Sequence, residues 1–317
     1  MKKSTRVALI VAAALFVIGV ALCGISFAGV GFHWYALSTV DPGEYETKTV
    51  QYDAADIVKI VLNIEVDEVR VASSKSAQIE LRYMDRPSAR YAISVQEGVL
   101  TLEKEAQLRV QNMRDWFRFD IGTPDGAVLL TIPEGFNGDL LIQSDVGDVT
   151  LQDIAITGTL DCAIQTGEFS AKNLTTSCVK VQNDVGSITG ENWIVEHDAM
   201  IEDRIGDIKL QNSAFGGILA CRNDVGDIKF AQVSTQTADL SARVGDIDFE
   251  ALATEQLKVI TDIGGVCGSI DGQQSEYTIL TDSDIGEDNA VNRKGNTDKE
   301  INIVTRVGDI DIEFLHE

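Results

Sequence analysis

Downstream of residue 57, apolar and polar residues alternate over most of the chain, the period-two pattern of strands that bury one face. At regular intervals the alternation breaks at a glycine, and RIGDIKL at 204–210 returns as DVGDIKF at 224–230. Aligned on that glycine, the motif recurs at Gly147, Gly167, Gly186, Gly206, Gly226, Gly245, Gly264, Gly286 and Gly308, in steps of 19 to 22 residues. A fixed period carried by strand-type alternation predicts an all-β fold, a β-solenoid of about nine to ten coils in which each copy is one ~20-residue coil.

Within a coil, apolar residues occupy fixed places relative to the glycine. Seven and five before it lie pairs such as Leu160 and Cys162, Leu219 and Cys221, Ile301 and Ile303; two and four after it lie Val149 and Leu151, Ile208 and Leu210, Ile310 and Ile312. The residue just before it is Val146, Thr166, Val185, Ile205, Val225, Val244, Ile263, Ile285 or Val307. All these columns are expected to face inward. Two residues separate the last of them from the next inward position, so the chain must bend at Gly-Asp, and Gly147, Gly186, Gly206, Gly226, Gly245 and Gly308 are the expected turn residues because glycine reaches positive φ at little cost. One coil cannot stand alone: about five buried side chains at roughly 1.5–3 kcal/mol each do not offset the backbone entropy of ~20 residues at about 1–2 kcal/mol each. Coils must therefore stack, about 4.8 Å apart through backbone hydrogen bonds.

Upstream, IVKIVLNIEVDEVRV at 57–71 repeats the columns with Asp67 in the glycine place, a degenerate first coil. Strand-like runs at 78–83, 91–95, 99–103 and 127–132 make 45–137 a β-rich cap ahead of the solenoid at 138–317, with an irregular stretch at 104–126 carrying Trp116, Phe117 and Phe119.

The first 44 residues differ. Residues 7–31 carry no charge and are long enough to cross a bilayer core as a transmembrane helix. The basic tail 1–6 before them and Phe32–Tyr35 after them, at the start of a juxtamembrane linker 32–44, orient the N-terminus to the cytoplasm and the C-terminal domain to the extracellular side of the cell membrane. Ser26-Phe27-Ala28 offers a competing signal-peptidase site, and Cys23 a weaker lipoprotein reading. The net charge of −24 excludes nucleic acid as a partner, since phosphate binding needs clustered Lys and Arg. The five cysteines form no CxxC and no metal-ligand spacing with histidine, and are expected as buried thiols. Cys162 and Cys221 lie three coils apart, roughly 14 Å, too far for a disulfide.

The short basic N-terminus, the single apolar segment, YETKT at 45–49, the IP at 132–133 and the VGDI motifs at 146–149, 225–228, 244–247 and 307–310 together resemble a bacterial cell-surface family of adhesin-type domains of unknown function. The resemblance implies a β-solenoid displayed on the envelope and carries no catalytic residues. The motif departs from it at Gly167, Gly264 and Gly286.

Two outward columns invite chemistry. The residue after the glycine includes Asp148, Asp207, Asp227, Asp246 and Asp309, which are either Ca²⁺ candidates or a solvated corner whose carboxylates cap turn amides. The residue two before it alternates in sign through Asp184, Arg204, Asp224 and Arg243, an expected salt-bridge ladder. A polysaccharide-processing β-helix enzyme would need long loops to wall a cleft, and the even period leaves none; His33, His197 and His316 are scattered. No cofactor is implied. The reading is an envelope-anchored, surface-displayed, non-catalytic interaction module for a protein or envelope component, with an accessory sensor of envelope stress as the alternative. Trp116, Phe117 and Phe119 are candidate partner contacts, and the last motif leaves an edge for end-to-end self-association.

Overall fold

The computed structural model describes residues 46–85, 90–104 and 127–316. Two compact units divide the chain; the one comprising Thr47–Met84, Tyr91–Glu105 and Ala127–Glu317 holds almost all described residues and is the one treated below. The expected membrane helix 7–31, the linker 32–44 and Trp116, Phe117 and Phe119 lie outside the described residues. Among the described residues no helix is long and apolar enough to cross a membrane.

The unit is all-β, and its 22 strands join one sheet that is mostly parallel. Like residues stack on like. On one side of the coil the register runs Leu140, Leu160, Val179, Ala199, Leu219, Ala238, Leu257. On the next it runs Val149, Phe169, Ile188, Ile208, Ile228, Ile247, Val266. A repeat of 19 or 20 residues brings equivalent side chains directly over one another, so one apolar core runs the length of the stack.

Lys59–Val66 and Glu68–Ser74 lie parallel on Asp139–Val146 and Val149–Ala155, and Asp67 stands at the corner, where its Oδ2 accepts a 2.6 Å hydrogen bond from Tyr91 Oη. On the other side of this coil pair Val99–Lys104 and Ala127–Pro133. The antiparallel strands Tyr91–Gln96 and Gln78–Asp85 then border this end, which gives the cap its change of pairing direction.

Three expectations need correction. First, the residues before the glycines do not face inward: Val146, Val185, Ile205, Val225, Val244, Ile263, Ile285 and Val307 are 40 to 68% exposed. The alternation stops at the residue three before the glycine, and the corner then takes four successive outward positions. Second, the last motif does not leave a bare end. Lys299–Val307 lies between Gln256–Ile263 and Tyr277–Ile285, parallel to both, so of these three strands the one that comes last in sequence is the middle one in space. The 22-residue steps supply the extra chain for this exchange, and the edge beyond Ile310–His316 is partly covered by the Asp288–Ile310 bridge and by Asn289. Third, the thiols are not all buried. Cys162 and Cys221 are, with ionisation pushed up by burial, while Cys178 is half-buried and Cys267 exposed.

A second bend went unread. Six residues after the glycine, Asp153, Asn173, Asn192, Asn212, Gln232 and Ala251 all adopt positive φ of 49 to 58°. Asp and Asn tolerate that conformation best among non-glycine residues, and Asn173 Nδ2 donates to Asp153 Oδ1 at 2.5 Å while Asn192 Nδ2 donates to Asn173 Oδ1 at 2.8 Å. Beyond this bend the inward residues Ile154, Leu174, Trp193 and Val233 complete the core.

Candidate functional site

The glycine corner repeats along the stack, and its sequence dictates its geometry. At Gly226 the backbone has φ +135°, and a Cβ there would stand 1.8 Å from the Gly206 carbonyl oxygen. The glycines therefore serve two ends, a left-handed backbone and the close approach of successive coils. Gly147, Gly186, Gly206, Gly245 and Gly308 share the positive φ, as do the departing motifs at Gly167 and Gly264; Gly286 does not.

The acidic column proves to be part of this corner's hydrogen bonding. Asp148 Oδ1 accepts from Glu168 N (2.9 Å), Asp207 Oδ1 from Asp227 N (3.1 Å), Asp227 Oδ1 from Asp246 N (3.0 Å), Asp246 Oδ1 from Gly265 N (2.8 Å) and Asp309 Oδ1 from Glu287 N (2.8 Å). Each carboxylate satisfies an amide of the adjacent coil, which offsets the repulsion of stacked like charges. Lys209 and Lys229 hold the outer oxygens of Asp207 and Asp227 at 2.9 and 2.8 Å, and these hydrogen bonds draw both carboxyls below their ordinary range. Among the described residues no group of three or more His, Cys, Asp or Glu is placed to hold a metal ion. Millimolar calcium is accordingly expected to leave the melting temperature unchanged; a saturable rise in a thermal melt would restore the column as a ligand set.

The sign-alternating column forms the expected ladder. Arg204 pairs with Asp184 at 3.3 Å, Arg243 with Asp224 at 3.5 Å and Arg306 with Asp262 at 3.2 Å, each reaching the neighbouring coil. These pairs are exposed, so they set register more than stability.

Between the two charged columns runs the exposed row. Val66 stacks on Val146, which stacks on Thr166 and then Val185; Ile205, Val225, Val244, Ile263, Val307 and Ile285 continue it. Beside it a shallow groove of about 400 Å³ is lined by Thr166, Val185, Ile205 and Val225 and by the Asp184, Arg204, Asp224 and Arg243 ladder. The Val/Ile chemistry of this row gave no hint of its exposure.

Under the row lies a largely polar column, the residues three before the glycines, interrupted by Ile164 and Ala242. Asn183 Nδ2 donates to Gly167 O at 3.0 Å and Asn223 Nδ2 to Gly206 O at 2.8 Å; Thr305 Oγ1 and Ser283 Oγ donate likewise to Gly264 O and Gly308 O. Asp203 sits between the two asparagines and is 3% exposed. Burial pushes its carboxyl up to about 7, against the pull of the Ile205 and Arg204 amides, and the charges of Asp207 and Asp184 add to the push.

Of the histidines, His197 stands alone at the surface and His316 Nε2 lies 2.8 Å from Asp271 Oδ1, both half-exposed. The unpredicted His316–Asp271 pair is brought together by the final coil exchange and shares no hydrogen bond with a nucleophile among the described residues.

A coil stack whose corners carry stacked Gly-Asp turns defines the class of this protein, a parallel β-coil domain with no walled cleft among its described residues. Residues 57–313 match the Toastrack DUF4097 family model, and the chain belongs to that family. No curated protein matches the chain. Among solved structures it is similar to a candidate adhesin from Bacteroides fragilis, with 16% identity over 70% of this chain and 97% of that one, at a TM-score of 0.40. A candidate cell-adhesion protein from Clostridium sporogenes has 13% identity over 85% and 98% of the two chains, TM-score 0.26. A candidate adhesin from Parabacteroides merdae has 15% identity over 71% and 96%, TM-score 0.26.

Proposed function

We propose that this chain is a non-catalytic interaction module displayed outside a bacterial cell, held to the envelope by the apolar segment 7–31, and that it binds a partner along the exposed corner row. The exposed row of stacked valines and isoleucines carries this reading, because apolar side chains set in line at the surface mark interaction sites. The occupant it fits is a cationic amphipathic helix. Coils advance about 4.8 Å and a helix about 5.4 Å per turn, so one aliphatic side chain per turn tracks the row. Basic residues on one flank of that helix would meet Asp148, Glu168, Asp207, Asp227 and Asp246, on a chain of net charge −24. The opposite flank meets the ladder, whose arginines are already paired.

The test is photo-crosslinking on intact cells from Val225 in the row, with Ile194 on another exposed side as control. Capture of Lys/Arg-rich amphipathic segments from Val225 alone, abolished by Ile205→Glu, supports the reading. Equal capture from both positions, or none, overturns it. One dominant membrane protein among the captured partners makes the module a sensor accessory; diverse envelope or foreign-cell components make it an adhesin. Ile205→Glu is expected to change stability by no more than about 0.5 kcal/mol, as for other surface substitutions, which a thermal melt checks.

A further inference from the structure

We propose that Asp203 is held protonated inside the folded stack, its O–H donating a hydrogen bond to the Gly186 carbonyl oxygen, and that loss of this proton loosens the corner bearing Arg204, Ile205 and Asp207. The argument begins with the column that Asp203 interrupts. The two side chains stacked directly on it, Asn183 and Asn223, each turn an Nδ2 to the glycine carbonyl of the coil before. The atom that fills this place in the middle coil is Asp203 Oδ2. A Cβ on Gly206 would stand 2.0 Å from Gly186 O and 2.7 Å from Asp203 Oδ2; at Gly226 it would stand 1.8 Å from Gly206 O and 3.1 Å from Asn223 Nδ2. The arrangement is the same, but where its neighbours present an N–H, Asp203 presents an oxygen toward an oxygen. A carboxylate cannot donate there, and a carboxylic acid can.

Beyond the amides of Ile205 and Arg204, the described surroundings supply no donor to the Asp203 carboxyl. Asn183 Oδ1, Asn223 Oδ1 and both Asp203 oxygens are buried without a side-chain partner. The charged groups on the three stacked strands and at the corner lie on the outer face: Lys180 and Asp184 from the coil before, Glu202, Arg204, Asp207 and Lys209 on the coil of Asp203, and Arg222 and Asp224 from the coil after. These acids and bases are equal in number, and Arg204, Lys209 and Arg222 are engaged by Asp184, Asp207 and Glu202. Burying an unpaired charge is costly, and a buried acid remains neutral instead.

The sign follows. The folded state holds a proton that the unfolded chain, with an ordinary aspartate, has released at the same pH. The stability tied to this proton is fully present below about pH 4 and is lost as pH rises through about 7, the proton passing to solvent. Only the consequence for binding rests on the proposed role of the row; the titration stands or falls without a partner.

The experiment compares the full chain with Asp203→Asn, which supplies the Nδ2 of its neighbours without titrating, and with Asp203→Ser, which supplies a hydroxyl as Ser283 does. Thermal melts are recorded at pH 5.5 and 8.5, with hydrogen exchange at Ile205 and Asp207. The wild type is expected to lose on the order of thirty-fold in its folding equilibrium constant between these conditions beyond any loss shown by Asp203→Asn, so that every other titrating group cancels in the comparison. Asp203→Asn should melt higher than wild type at pH 8.5, and wild-type exchange at Ile205 should accelerate with pH more than in the variant. Equal pH slopes in wild type and both variants overturn the proposal. Failure of the crosslinking with a retained pH difference removes the row's role and leaves the buried proton in place.

Discussion

Gly226→Ala is expected to cost about 3–5 kcal/mol, enough to part the stack at its middle. Two effects combine. The residue adopts φ +135°, which a side chain pays for with about 1–3 kcal/mol, and the new methyl would stand 1.8 Å from the Gly206 carbonyl, which must retreat and give up its place in the coil spacing. Gly135→Ala separates the two effects: its φ is +71°, but nothing lies within 4 Å of the added carbon. It should lose only about 1 kcal/mol, the backbone strain alone. Equal losses in denaturant unfolding would mean that coil-to-coil approach sets no limit at the corner.

The second large effect lies in the core. Trp193 is fully buried, packed edge-on between Phe169 and Phe215 with centroids 6.1 and 6.5 Å away, and its Nε1 donates to Ala171 O at 2.9 Å. It links three successive coils. Trp193→Ala is expected to cost about 3–5 kcal/mol. Trp193→Phe should keep much of the packing yet strip Ala171 O of its donor, for a loss of about 1–3 kcal/mol. Chemical denaturation midpoints check both, and a Phe variant as damaged as the Ala variant would show that the indole's hydrogen bond, not its volume, is what the coils need.

The legibility of this fold varied with the kind of information required. The coil period and the glycine turns could be read because stacking forces equivalent residues to recur, and Leu160 or Ile208 could be placed inward because alternation holds along a straight strand. The corner defeated the same rule. There Ser144, Asn183, Asp203 and Asn223 are inward although polar, and Val185, Ile205 and Val225 are outward although apolar. Composition pointed the wrong way at both columns, and Asn183 and Asn223 are held inward by the hydrogen bonds they donate to glycine carbonyls. The second bend had a signal in Asp153, Asn173, Asn192 and Asn212, four residues tolerant of positive φ at one fixed place. The Asp column was legible in position, and its carboxylates accept from amides of the adjacent coil. The exchange of the last coils was not legible, because a period says how long a coil is and nothing of which coil it lies against.

That exchange bears on how the molecule is made. A ribosome delivers coils from the N-terminal side onward, and each new one from Thr159–Thr166 to Gln256–Ile263 can settle on the one just delivered. Tyr277–Ile285 emerges next but belongs one place further out, with its neighbour Lys299–Val307 still unsynthesised. It must wait undocked, or dock wrongly and be displaced. Vectorial growth therefore carries the stack only as far as Gln256–Ile263 and the Val266–Gln273 strand that follows it, and closure of the C-terminal end is a post-synthetic step in which a later strand passes inside an earlier one.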